Sequence, residues 1–210
     1  MSSGSQQESR PYRMSKRAEQ VAYTRLRIVE ATVELHGTIG PAGTTVMGIA
    51  EQAGVTRATV YRHFPDEDAL FRACSAHWRA RQDPPNPSSW ARVADPFERI
   101  RVGLDDLYRF YRDGEPMLTR IYRDMASLPP EQRRDLHARD TRVRDLLLAA
   151  FPARPRRRHP LRAVLGHAVA FWTWRSLCME HRLAEQEAVE LMIELAEAAS
   201  GIDRKDTKSK

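Results

Sequence analysis

The twenty residues from Thr45 to Phe64, TVMGIAEQAGVTRATVYRHF, leave the chain few options. Thr45 is placed to cap a helix, because its hydroxyl can accept from an otherwise unpaired amide two or three residues on. Ile49, Ala50 and Ala53 then recur on one helical face, and Ala50 is small where a second helix has to cross closely. Gly54 supplies the left-handed conformation that ends a helix at little cost. Val55 plugs the space between helices, and Thr56 caps a second helix over Arg57 to His63. Two short helices joined by so tight a turn make a helix-turn-helix, whose second helix is available for a DNA major groove.

Residues 20–74 resemble the DNA-binding domain of TetR-family transcriptional regulators. The residues that carry the resemblance are Thr44-Thr45-Val46, Ile49-Ala50, Ala53-Gly54-Val55-Thr56, Thr59-Val60-Tyr61-Arg62-His63-Phe64-Pro65 and Ala69-Leu70. What the resemblance implies is an all-α protein. A three-helix DNA-binding domain comes first, a fourth helix connects it onward, and a C-terminal helical domain binds a small-molecule effector and dimerises. Two positions depart from the family pattern. Met47 stands where members commonly carry a basic residue, and Glu67 where they often carry Lys. Glu67 would repel a phosphate and lies outside the expected contacts.

Arg57, near the start of the second motif helix, is the candidate for direct base readout, since a bidentate Arg–guanine pair is the commonest specific contact. Thr56 and Thr59 can reach a phosphate or a thymine methyl, and Thr45 heads the first motif helix. The resemblance implies backbone contacts for Tyr61 and His63, with Arg62 beside them. One such domain touches few phosphates, so specific binding to double-stranded DNA calls for two, on a near-palindromic operator. The expected assembly is therefore a homodimer. The apolar stripes Leu161, Val164, Leu165, Ala168, Trp172 and Met179, and Val189, Met192, Ile193 and Ala196, would form a four-helix interface with the same pair from a partner. The other reading of those stripes is that they face their own subunit's core.

Punctuation divides the chain. Residues 1–16 are polar with several basic groups and read as a disordered arm, either solvated or lying along DNA. Residues 17–82 hold the helix-turn-helix domain and its connecting helix. The first helix is expected over residues 17–36, ahead of a Gly- and Pro-rich connector. Residues 83–89, DPPNPSS, form a linker, because three prolines in four residues cannot continue a helix. Residues 90–201 read as helices throughout, the effector and dimerisation domain, including one from Leu161 to Arg182 preceded by a basic loop from Pro152 to Pro160. Residues 202–210 are expected to fray.

Aromatic and sulfur side chains concentrate in this second half. Leu104, Tyr108, Tyr111, Met117, Ile121, Tyr122, Met125, Phe171 and Trp174 are the candidate walls of a pocket for an apolar or aromatic effector, with Arg120, Arg123, His167 and Arg175 as possible polar anchors. Taken singly, each aromatic residue suits a helical core better; it is as a group that they support a pocket.

Lys and Arg outnumber Asp and Glu by 34 to 28, a net charge of +6 that permits a polyanionic partner without requiring one. Cys74 and Cys178 make no disulfide framework, no leader-like or membrane-spanning run is present, and a cytoplasmic protein is expected. Cys178 and His181 could share a metal, but no further ligand has zinc-like spacing, so neither metal nor cofactor is expected. An enzyme that used the helix-turn-helix to find DNA, a recombinase or nuclease, would need clustered carboxylates. Asp105 and Asp106 are adjacent, so their side chains diverge by about 100° on a helix. A third reading is a ligand-binding dimer whose DNA end has decayed, given Met47 and Glu67.

Overall fold

A computed structural model describes residues 10–207 apart from residue 153, and all regular structure among the described residues is helical. Helix α1 spans Arg10–Thr38, α2 Val46–Gln52, α3 Arg57–His63 and α4 Glu67–Arg79. After a short α5 (Pro87–Trp90) come α6 (Pro96–Asp113), α7 (Glu115–Arg123), α8 (Pro130–Leu148) and α9 (Pro155–Ala168). Then α10 (Phe171–Trp174) widens into a π-helical stretch over Arg175–Glu180, followed by α11 (Glu185–Ser200) and a final turn, α12 (Arg204–Thr207).

The helix starts follow local chemistry. The hydroxyls of Thr45 and Thr56 accept from the amides of Gly48 and Thr59 at 3.1 and 3.2 Å. The carboxylates of Asp66 and Asp95 do the same for Ala69 and Glu98 at 2.6 and 2.7 Å. Each cap satisfies an amide that has no partner inside its helix.

Two apolar clusters organise the packing. The larger holds Trp90, Ile100, Leu104, Tyr108, Tyr111, Leu147, Leu165, Trp174 and Ile193, and is built by α6, α8, α9, α10 and α11. The smaller holds Ile28, Ile49, Ala50, Val60, Phe64, Leu70 and Phe71 of the first four helices. Leu128 is buried in that second cluster, and Ile121, Met125 and Leu136 pack against it. Side chains from α7 and α8 thus complete the core under the helix-turn-helix, so the proline-rich linker separates sequence but not packing.

Several expected boundaries move. The first helix begins at Arg10, not residue 17, so residues 10–16 are helical; the rest of the expected arm lies outside the described residues. The linker already contains α5, whose Trp90 is fully buried and donates its Nε1 proton to Asp106 at 2.9 Å. The basic segment from Pro152 to Pro160 is largely the opening of α9, with Pro160 inside the helix. The helix expected from Leu161 to Arg182 breaks at Ala170, whose backbone is extended. Two buried tyrosines account for the break: the hydroxyls of Tyr108 and Tyr111 donate to the carbonyls of Ala168 and Val169 at 2.9 and 2.8 Å, satisfying groups that a helix end leaves open. The tail also departs from expectation. Ile202 is buried, and Arg204 pairs with Glu190 and Glu197. Residues 208–210 lie outside the described part.

Candidate nucleic-acid interface and the cavity behind it

Helix α3 is held against α1 from two sides. The Arg27 guanidinium donates to the carbonyl of Ala53, in the turn between α2 and α3. The Arg25 guanidinium lies over the Phe64 ring, 4.6 Å from its centroid, at the end of α3. Gly54 has φ +62°, and a Cβ there would approach the Arg27 guanidinium to 2.6 Å, so both backbone and space favour glycine.

That clamping leaves the outer face of α3 to solvent. Arg57 is exposed and makes no hydrogen bond or ion pair with the described residues. Tyr61 is 49% exposed although Val60 beside it is buried, which separates the outward side of the helix from the inward one. Arg62 is exposed and His63 half-buried, and burial, then the Arg62 and Arg25 charges, lower the His63 pKa. Thr56 and Thr59 share a hydrogen bond, Oγ1 to Oγ1 at 3.0 Å. The hydroxyls of Thr45 and Thr56 are engaged as caps, so any DNA contact they make is additional to a structural role. Met47 is exposed on α2, and Glu67 opens α4 in solvent.

A cavity of about 350 Å³ lies behind this domain. Its walls come from α1 (Val33, His36), α4 (Phe71, Cys74, Trp78), α6 (Phe110), α7 (Met117, Leu118, Ile121) and α8 (Gln132, Leu136, Arg139). Ser75, Arg79, Asp135 and Arg142 complete the lining. His36 is buried, with Nδ1 3.7 Å from the Cys74 sulfur. Desolvation lowers its pKa to about 4 despite the attraction of Asp124, so the imidazole is neutral at neutral pH. Desolvation pushes the Cys74 thiol up to about 12, which keeps it protonated.

Of the nine expected pocket residues, Met117 and Ile121 line this cavity; the other seven are not among its lining residues. Leu104, Tyr108, Tyr111, Phe171 and Trp174 are packed solid in the larger core, where Tyr122 stacks on Phe171 with centroids 4.9 Å apart. Met125 packs against the smaller core. The expected polar anchors are also employed elsewhere. Arg120 and Arg123 donate to the carbonyls of Thr38 and Ile39 at 2.8 and 3.1 Å, beside Asp124, whose carboxylate accepts from the amide of Ala42 at 3.1 Å. Arg175 pairs with Glu115 and Glu180, and His167 bonds Thr173. The end of α7 therefore grips the connector between α1 and α2. Gly40, in that connector, has φ +88°, and a Cβ there would run into the Asp124 carboxylate.

Residues 28–74 match the family model for bacterial regulatory proteins of the tetR family. The chain carries a TetR-family DNA-binding domain.

Solved structures extend the likeness to the whole fold. A TetR-like transcriptional regulator from Rhodococcus sp. RHA1 superposes with a TM-score of 0.58 at 18% identity, covering 85% of this chain and 97% of that one. A tetR-family regulator from Streptomyces coelicolor gives 0.53 at 16% identity, covering 88% and 85%. NalD, the secondary repressor of the MexAB-OprM multidrug efflux pump in Pseudomonas aeruginosa, gives 0.52 at 20% identity, covering 86% and 97%. No curated protein matches the chain in sequence. At these identities the likeness is one of fold: a helix-turn-helix domain followed by a helical C-terminal part. TetR-family proteins are transcription regulators rather than enzymes. The paired acids that a DNA-acting enzyme would have needed are divided here, because Asp106 bonds the Asn86 amide, the Trp90 indole and Arg109, none of which Asp105 shares. No three His, Cys, Asp or Glu side chains converge among the described residues. None of the described helices is long and apolar enough to cross a membrane.

The stripes expected to join two copies of this TetR-type fold are mostly turned inward. Leu161, Leu165, Ala168, Val189, Met192, Ile193 and Ala196 are buried within their own chain, where α9 and α11 pack together, and Val164 is half-buried against the same core. A side chain with no exposed surface has none to offer a partner. Trp172 and Met179 remain available, at 45% and 50% exposure, and α11 presents Leu191 and Leu195 on its outer side. Those two leucines are four apart, so they share a face.

Proposed function

We propose that this chain is a ligand-responsive repressor that binds a near-palindromic operator as a homodimer. The observation that carries the reading is the position of the cavity. Two of its walls, α1 and α4, belong to the DNA-binding domain, and a third, α7, grips the connector leading into α2. A ligand that spreads these walls would shift the recognition helix relative to its counterpart in the partner. Both helices engage one operator, so a coupling of about 1–3 kcal/mol is enough for a 5–150-fold loss of affinity. Dimerisation through the outer face of α11 and the exposed Trp172 and Met179 supplies the second recognition helix.

The test is fluorescence anisotropy with DNA from the chain's own upstream region, or with sites selected from random DNA, across a salt series. A protected near-palindrome, with a log–log salt slope of about −0.9 per phosphate contacted, supports the dimeric reader. Ligands that occupy the cavity should then weaken binding. Operator affinity that stays constant under every ligand shown to fill the cavity would rule out the regulatory link.

A further inference from the structure

We propose that the cavity takes an apolar monocarboxylate, whose carboxylate is received by the Arg139 guanidinium. The proposal rests on reading the cavity as the effector site and names the chemistry of the effector.

The body of the site is apolar and uncharged. Phe71, Trp78, Phe110, Met117 and Ile121 supply rings and flexible chains. His36 on α1 and Cys74 on α4, also in the lining, are held neutral by burial. The remaining charge comes from Asp135 and three arginines, Arg79, Arg139 and Arg142. Arg79 and Arg142 are exposed and make no ion pair with the described residues, so the site is positive overall even after Asp140 offsets Arg139.

Arg139 is the group built for recognition. Its Nη2 donates to the Tyr122 hydroxyl at 2.5 Å, and Nε and Nη2 both reach Asp140 Oδ1, at 3.1 and 2.9 Å. Tyr122 is itself fixed by stacking on Phe171. One edge of the guanidinium is thus anchored, while Nη1 makes no hydrogen bond to any described residue. An arginine held through Nε and Nη2 has lost its rotamer freedom before a ligand arrives, and the two protons left on Nη1 can donate a charge-assisted hydrogen bond to a carboxylate. Asp135 is the one acid among the lining residues; it is exposed and has no supporting partner among the described residues, so it makes a weaker receptor for a cation.

The probes are decanoate, decanol and decylammonium, which share one apolar chain and differ in head charge. Their affinities for the full-length protein are measured at neutral pH by calorimetry and by the fluorescence of the tryptophans, of which Trp78 lines the site. Decanoate should bind about tenfold or more tighter than decanol, with decylammonium weakest. Arg139→Gln should bring decanoate down to the level of decanol and leave decanol unchanged, and Arg139→Lys should keep part of the preference. If Arg139→Gln does not fold, Arg139→Lys and the order of the three probes on the native chain still decide. Decanol or decylammonium binding as tightly as decanoate, a preference that survives loss of Arg139, or binding of none of the probes would each overturn the proposal. Operator release is read separately. Decanoate bound through Arg139 without release sinks the regulatory reading and spares this one. Release by decanol with no binding of decanoate does the reverse.

Discussion

His36 should make the fold acid-labile well above the pH at which carboxylates protonate. The residue is 7% exposed and its ring is packed by Phe71 and Cys74, with no carboxylate of the described residues within hydrogen-bonding distance. Burial holds its pKa at about 4, against 6.5 for the free side chain, and Asp124 offsets only part of that cost. The folded chain therefore binds fewer protons than the unfolded chain between these values. The contribution is complete above pH 6.5 and is lost progressively as pH falls towards 4. At about 1.4 kcal/mol per pKa unit the whole interval is worth roughly 3 kcal/mol, of which about 2 kcal/mol has gone by about pH 5. Urea unfolding of the native chain and of His36→Gln, at about pH 7.5 and about pH 5, isolates the effect. The variant should lose about 2 kcal/mol less on acidification than the native chain. The carboxylates held below their usual range away from His36, Asp145, Glu190 and Glu197, lose their contribution only at lower pH and affect both proteins alike. Equal losses in the two proteins, or an imidazole NMR titration with a midpoint near 6.5, would refute the argument.

Three further outcomes follow from the same geometry. Asp124→Ala leaves the Ala42 amide without its charged acceptor and should lower stability by about 1.5–3 kcal/mol in urea titrations, while blunting any effect of cavity ligands on operator affinity in anisotropy measurements. Arg57→Ala removes a guanidinium at the start of α3 that no described residue engages, and should weaken operator binding by about 1–3 kcal/mol with no change in the thermal midpoint. Leu191→Glu with Leu195→Glu puts charge on the outer face of α11 and should yield monomers by sedimentation equilibrium, whereas a charge at the buried Ile193 should unfold the chain.

The helix-turn-helix was legible because its determinants are local. Thr45, Gly54 and Thr56 act on amides and backbone angles within a few residues of themselves, so their roles can be read without knowing what packs where. The C-terminal part was legible only as a set of helices. Periodicity marks Leu165, Val189 and Ile193 as apolar-facing, but whether that face meets its own core or a partner depends on which helices lie alongside, and here α9 and α11 bury it between them. The cavity was harder still. Aromatic density drew attention to Tyr108, Tyr111 and Phe171, yet large rings fill space, and the open volume lies where walls from distant parts of the chain fail to meet. His36 and Cys74 belong to the domain that sequence assigns to DNA, and nothing local marks them as cavity residues. Arg139 could have been noticed only as an arginine that α8 carries toward the apolar side of its neighbours.

The arrangement of α7 explains why occupancy of the cavity would be felt at the DNA end. The helix has nine residues, too short to bend without breaking its hydrogen bonds. Met117, Leu118 and Ile121 face the cavity, and one turn or less away Arg120, Arg123 and Asp124 hold the Thr38 and Ile39 carbonyls and the Ala42 amide. A ligand that displaces the first set carries the second with it. The connector cannot absorb the movement by relaxing towards α7, because the backbone at Gly40 already lies so close to Asp124 that a single Cβ would not fit. It must either follow the helix or lose the hydrogen bond to Ala42. Three residues beyond Ala42 stands the cap of α2, and α2 packs directly on α3. On the proposed reading, movement at the cavity would therefore be converted within one short helix and one tight connector into movement of the surface that carries Arg57.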